Sequence, residues 1–230
     1  LRASALVCAM ETLRVRDPAL GKERFSIGIW LGGSATPNSR RVARNNLRSL
    51  NKGDKYVENQ FLLLRCPWCS AQMGPVKAEP KAPKRTPRVA GYVEEGGTVV
   101  FRCPDARCEF SRSNLPVFVI DEDIYDNRPT MVIGTVDKFA GLAWKEDAGR
   151  LFNRGTSDEY GIDLIIQDEF HLISGPLGTM VGLYETAIDE LSAWKFDDKT
   201  IRPKVIASTA TVRKAKEQVK HVFLRQVAVF

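Results

Sequence analysis

The apolar run Leu164-Ile165-Ile166 ends in Gln167-Asp168-Glu169-Phe170-His171. A buried strand that delivers two adjacent carboxylates to the edge of a sheet suits a nucleotide hydrolase. One carboxylate can hold Mg²⁺ through water while the next polarises the attacking water. The run is apolar at every position, as expected where both faces of a parallel sheet are covered. A strand ending in a solvated acidic turn would carry the same residues. Further along, Lys204-Val205-Ile206-Ala207 is a second apolar strand, and it ends in Ser208, Thr209, Ala210 and Thr211. Those hydroxyls could equally cap the helix that follows.

The second constellation is cysteine. Cys66-Pro67-Trp68-Cys69 and Cys103-Pro104-Asp105-Ala106-Arg107-Cys108 form two close pairs, each after a short apolar run. Two thiolates on one tight turn take two corners of a tetrahedron, and a second knuckle supplies the other two. Cys66, Cys69, Cys103 and Cys108 therefore read as a closed Cys₄ site for structural Zn²⁺, with no position left open for a catalytic water. Free or disulfide-bonded pairs, and a redox C-x-x-C, are the alternatives. Metal rather than disulfide fits a reducing, cytoplasmic setting. The fifth cysteine, Cys8, sits in a helical pattern and reads as a small buried hydrophobe.

The elements that must position these residues alternate. Residues 1–16 read as a helix with Ala5, Leu6, Ala9, Met10 and Leu13 on one face, and Phe25 to Leu31 as a strand ending in Gly32-Gly33. Pro37 to Leu50 reads as a basic helix. Met131 to Gly134 is a strand followed by a helix from Val136 to Trp144. Met180, Tyr184, Ala187, Ile188 and Leu191 mark another helix face, residues 211–223 a helix, and Gln226 to Phe230 a last strand or connector. Alternation of this kind predicts an α/β sheet with parallel strands. Residues 59–120 differ, with cysteine pairs, prolines and short apolar runs. Within them the Pro- and Lys-rich stretch 74–90 reads as a solvated, partly extended loop.

The 230 residues are 43% hydrophobic, enough for a real core, and carry a formal net charge of +6, which favours a polyanionic partner. No apolar run approaches the ~18 residues of a membrane helix, so no membrane partner is expected. The chain starts without Met and inside a helical pattern, and it reads as a fragment of something longer. Gly32-Gly33 after a strand lets a backbone approach a ligand. Thr135, before Val136-Asp137-Lys138, opens a helix whose N–H groups could meet a phosphate, although Asp137 would repel one. A tight turn and a helix cap explain the same residues.

With Asp168, Glu169 and His171 followed by Thr209-Ala210-Thr211, the chain resembles the superfamily 2 DExH-type helicases. Thr135-Val136-Asp137-Lys138-Phe139, the run from Gln167 to Gly178 and the four-cysteine insert narrow the resemblance. Together they look like the helicase branch of the bacterial DISARM anti-phage systems. The resemblance implies a RecA-like parallel sheet flanked by helices with an inserted Cys₄ zinc-binding subdomain. The first part of the lobe would span 1–58, the insert 59–120, and the second part 121–230. It also implies roles. Asp168 would hold Mg²⁺ of bound ATP, Glu169 would activate water, and His171 would couple nucleotide to nucleic acid. Ser208, Thr209, Ala210 and Thr211 would form the coupling strand end, and Gly32, Gly33 and Thr135 would contact the DNA backbone. A second RecA-like lobe and other defence-system proteins would be its partners.

Two departures bear on activity. No G-x-x-x-x-G-K-[S/T] phosphate loop occurs in these residues, and Gly21-Lys22 does not replace it. The second lobe is also absent from them, so residues 1–230 alone are expected neither to hydrolyse ATP nor to unwind DNA. A zinc-bearing nucleic-acid-binding module without hydrolysis is the competing reading. A metal-dependent nuclease built on Asp168 and Glu169 lacks the further carboxylates such sites recruit.

Overall fold

The structure is a computed structural model that describes residues 2–76, 88–152, 161–172, 175–196 and 198–208, with the single positions 217, 219, 220, 223, 226 and 228. Thr209, Ala210 and Thr211 lie outside the described residues. So do positions 77–87 of the Pro- and Lys-rich loop, most of the helix expected over 211–223, and most of 226–230. The chain divides into two compact units, Leu1–Thr135 and Val136–Phe230.

The first unit opens with α1 (Arg2–Arg16). Its buried side is Ser4, Val7, Cys8, Glu11 and Thr12. This reverses the face expected from the apolar period, since Leu6 and Leu13 are exposed. Glu11 explains the reversal. Its carboxylate accepts Arg14 Nε and Nη2 at 2.8 Å each and the Phe25 N–H at 3.0 Å, with Arg24 Nε at 3.8 Å. A carboxylate with that many donors can be buried, and the helix turns to suit it.

β1 (Ile27–Trp30) follows and becomes the centre of a parallel sheet. α2 (Arg40–Lys52) is shorter at its start than expected, because Ser39 rather than Pro37 ends the preceding turn, its Oγ accepting the Val42 N–H at 3.3 Å. Ala43, Leu47 and Leu50 bury one stripe, and Gly53 closes the helix in the left-handed region at φ 75°, where glycine is favoured. Two antiparallel hairpins come next: β2 (Gly74–Val76) with β3 (Arg88–Ala90), and β4 (Tyr92–Glu95) with β5 (Thr98–Phe101). The second turns on Gly96-Gly97, both at positive φ, a two-residue turn that needs glycine or its like. Then come β6 (Val117–Phe118), α3 (Asp121–Asn127) and β7 (Met131–Gly134). The sheet order is β6-β1-β7, all parallel, with Ile27 opposite both Val117 and Met131.

In the second unit α4 (Val136–Ala140) is a short helix that tightens into a 3₁₀ turn over Gly141–Ala143. β8 (Leu164–Gln167), α5 (Gly175–Ser192), β9 (Trp194–Phe196), β10 (Lys199–Ile201) and β11 (Lys204–Ala207) complete it. β9 and β10 are an antiparallel hairpin, while β11 runs parallel to β8 with Ala207 opposite Gln167. The molecule is thus mixed α/β, with small parallel sheets flanked by helices. Among the described residues its parallel strands form two separate sheets.

Replacing Glu11 with Ala should cost about 2–3 kcal/mol, since it removes charge-assisted bonds from a buried site. Burial opposes ionisation of Glu11, but Arg14, the Phe25 N–H and Arg24 outweigh it and hold the carboxyl below its ordinary value of 4.5. The contribution is therefore present above that value and lost as pH falls below it. Urea midpoints of wild type and Glu11→Ala should differ at about pH 7 and converge at about pH 2.

Candidate functional site

The cysteine quartet is built by two turns. In the first, Cys66 N donates to Ala71 O at 2.8 Å and Ser70 N to Cys66 O at 2.9 Å, with Ser70 at φ 65°. In the second, Cys103 N donates to Phe110 O and Cys108 N to Asp105 O, at 2.9 and 3.0 Å. The turns face each other over an aromatic floor in which Tyr92 lies 4.9 Å from Phe61 and 5.4 Å from Phe101, centroid to centroid. Trp68 meets Phe110 edge-on at 6.0 Å.

The four sulfurs all lie within 4.8 Å of one another, with Cys66 to Cys108 at 4.0 Å and Cys69 to Cys103 at 3.3 Å. A tetrahedron with metal–sulfur bonds of about 2.3 Å has sulfurs about 3.8 Å apart, and the two pairs bracket that value. All five cysteines are free thiols, and Cys69 alone of the quartet is exposed. Burial first, then neighbouring thiols, raises Cys103, and burial chiefly pushes Cys108 up to about 11. Burial also acts on Cys69, but the Ala71 N–H and the adjacent thiols hold it below the ordinary value. Four thiols this close, three of them buried, cannot all ionise unless a cation compensates them, so the donor set fits a metal ion. Cys8 packs behind the quartet in the same core. Burial, followed by Cys66 and Cys108, pushes its thiol up to about 12, which keeps it protonated.

The acidic box lies in the second unit at the carboxyl end of β8. Asp168 Oδ1 accepts the Glu169 N–H at 3.0 Å, and Glu169 takes φ 54°, a left-handed turn that is uncommon for a residue with a Cβ. Both carboxylates are exposed, and Glu169 Oε2 lies 3.4 Å from His171 Nδ1. Ser208, at the end of β11, is tied to the box through its backbone: Ser208 N donates to Gln167 O and Phe170 N to Ser208 O, at 2.8 Å each. Asp168, Glu169, His171 and Ser208 are therefore gathered at one strand edge. In the first unit, Gly32, Gly33 and Thr135 follow the carboxyl ends of neighbouring strands, and Thr135 N donates to Trp30 O at 3.4 Å. A Cβ on Gly32 would meet nothing, whereas one on Gly33 would meet Asn38 Nδ2 at 2.6 Å.

Glu185 escaped the sequence reading. Of the expected face of α5, Ile188 is buried, Tyr184 and Leu191 are half-buried and Ala187 is exposed; among the described residues the buried stripe is Val181, Glu185, Ile188 and Ser192. The signal was its place four residues after Val181 and three before Ile188. Gln167 Nε2, immediately before the box, donates to Glu185 Oε1.

No protein-family model matches the chain. Against curated proteins it is 34% identical, over 258 aligned residues covering 98% of its length, to DISARM protein DrmA from Bacillus paralicheniformis. The chain is a relative of DrmA. It spans about a fifth of DrmA, 22% of that protein's length. At 98% coverage the shared stretch takes in both the cysteine quartet and the acidic box.

Glu185 gives a test of this packing. Burial raises its carboxyl to about 7; the Gln167 bond opposes it, and Asp189 adds a lesser push upward. The folded state then binds the proton more tightly than the unfolded state, so stability falls as pH rises from 4.5 to about 7. Glu185→Gln should stabilise the protein by about 1–3 kcal/mol above that window and change nothing below it. Melting curves across the window check this.

Proposed function

We propose that residues 1–230 are part of the first RecA-like lobe of an ATP-driven DNA helicase or translocase, serving anti-phage defence in the cytoplasm. The observation that carries this is the similarity to DISARM protein DrmA over 98% of the chain, with Asp168-Glu169 on a parallel strand end beside Ser208. In this reading the lobe runs through 1–58 and 121–230, with 59–120 as a zinc-binding insert. Thr135, the last residue of the first compact unit, lies inside the second stretch.

Cys66, Cys69, Cys103 and Cys108 hold structural Zn²⁺, which supplies folding energy rather than chemistry. Asp168 is the ligand side of the Mg²⁺–ATP site. Its Oδ1 accepts the Glu169 N–H, and its exposure suits an ion that keeps several waters. Glu169 orients and deprotonates water, and bound ATP with Mg²⁺ supplies the electrophilic phosphoryl group. His171, 3.4 Å from Glu169, reports the state of that carboxylate. Ser208, Thr209, Ala210 and Thr211 carry it onward. Gly32, with open space above it, Gly33 and Thr135 meet the DNA backbone. The phosphate-loop lysine, the second lobe and the partner defence proteins complete the machine.

The test is ATP turnover by the full-length protein, with and without single-stranded DNA, for wild type and Glu169→Gln. Turnover should rise with DNA and fall at least about 100-fold in the variant, with ATP binding retained. Turnover indifferent to Glu169→Gln, or absent in wild type, would favour a zinc-bearing nucleic-acid-binding module. The observation on that side is the cysteine quartet, which is complete within this chain.

A further inference from the structure

Helix α2 carries Arg40, Arg41, Arg44, Arg48 and Lys52 and no acid in its 13 residues. A helix surface that only needs to be wet ordinarily mixes signs, since opposite charges at i+3 and i+4 support a helix and like charges oppose it. Here Arg41 and Arg44, Arg44 and Arg48, and Arg48 and Lys52 set like charges at those spacings. Neighbouring acids relieve only part of the repulsion. Arg40 is held by Asp123 and Asp126, while Arg44 and Arg48 share Glu94, at 4.0 and 2.8 Å. Arg41 and Lys52 make no ion pair among the described residues, and nor does Lys55 just past the helix.

Arg41, Asn45, Arg48 and Lys52 follow one another at i, i+4, i+7 and i+11, a single stripe about 16 Å long. All four are exposed, on the side of α2 opposite the buried Ala43, Leu47 and Leu50. After Gly53 the chain turns back along the flank of this stripe. Asp54 N donates to Ser49 O at 3.2 Å, and Asn46 Nδ2 donates to Glu58 O at 2.9 Å. Ser49 neighbours both Asn45 and Lys52 on the helix surface. The returning segment carries Tyr56, which is 98% exposed, its N–H fixed by Asp54 Oδ1 at 3.1 Å. A tyrosine ring without packing forfeits the burial that makes aromatics stabilising. Further on, Gln60 Nε2 donates to Gly33 O at 3.2 Å, which joins the segment to the Gly32-Gly33 turn. A row of cations beside a bare ring matches a single nucleic-acid strand: the cations follow its phosphates, and the ring stacks on an unpaired base.

We propose that the outward stripe of α2, Arg41, Asn45, Arg48 and Lys52, together with Lys55 and Tyr56, binds single-stranded DNA and extends its path beyond the Gly32-Gly33 turn. This rests on the reading of DNA as the partner, and not on ATP hydrolysis.

Fluorescence anisotropy of the natively purified full-length protein with a fluorescein-labelled oligo(dT) tests this. The triple variant Arg41→Gln, Lys52→Gln, Lys55→Gln should flatten the slope of log affinity against log salt by about 2, from about 0.7 for each lost phosphate contact. The charge-keeping variant Arg41→Lys, Lys52→Arg, Lys55→Arg should bind as wild type does. Tyr56→Leu should weaken oligo(dT) binding about 10-fold with the slope unchanged, Tyr56→Phe should not, and neither should affect a duplex of the same length. The control Arg2→Gln, Lys22→Gln, Arg112→Gln removes three exposed cations outside α2 and should keep the slope. An unchanged slope in the α2 variant, an equal change in the control, or equal weakening of strand and duplex by Tyr56→Leu would overturn the proposal alone. No binding of oligo(dT) by wild type would overturn it together with the DNA reading.

Discussion

Four thiols held within 4.8 Å of one another are the constraint on which the first unit depends. The segment that carries them has short hairpins and few helices, and its core is a floor of Phe61, Tyr92 and Phe101 with Cys66, Cys103 and Cys108 among the buried residues. Burial makes Cys103 and Cys108 resist ionisation. A divalent cation compensates four thiolates gathered at one point, and the proposed zinc would thus convert a repulsive cluster into folding energy. The backbone already prepares it, since both turns are closed by their own N–H bonds. Cys8 ties α1 to the same core, so the metal site and the first helix share packing.

The second unit rests on a different arrangement, in which polar groups are buried beneath the exposed acidic box. Gln167 sits between the exposed box and the buried Glu185, and Ser208 is stitched to both sides of the box through its backbone. The left-handed Glu169 turns the chain sharply at the strand end and leaves both carboxylates facing solvent. In the proposed helicase reading, that strained turn is where water and nucleotide meet.

What was legible in the sequence follows from how local each signal is. Cys66, Cys69, Cys103 and Cys108 were readable from spacing alone, because two knuckles with four thiolates have few other uses. β8 and β11 were readable from their apolar runs, and the box from the acids that end one of them. The burial face of α1 was not, and that of α5 only in part, with Ile188 buried but Ala187 exposed, and for the same reason in both. A polar residue, Glu11 or Glu185, takes an inward position because partners distant in sequence accept it: Arg24 and Phe25 for one, Gln167 for the other. Period counting assigns the inward side to leucines, and tertiary hydrogen bonds decided otherwise. The tie between Ser208 and the box was half-legible, since hydroxyl chemistry suggested it and backbone N–H groups make it.

The central claim is that the quartet is a closed tetrathiolate metal centre. X-ray absorption at the zinc edge on the natively purified full-length protein tests it most directly. The expected result is one zinc per chain with four sulfur neighbours at about 2.3 Å. Nitrogen or oxygen in the inner shell, or no bound metal with four freely titrating thiols, would contradict it.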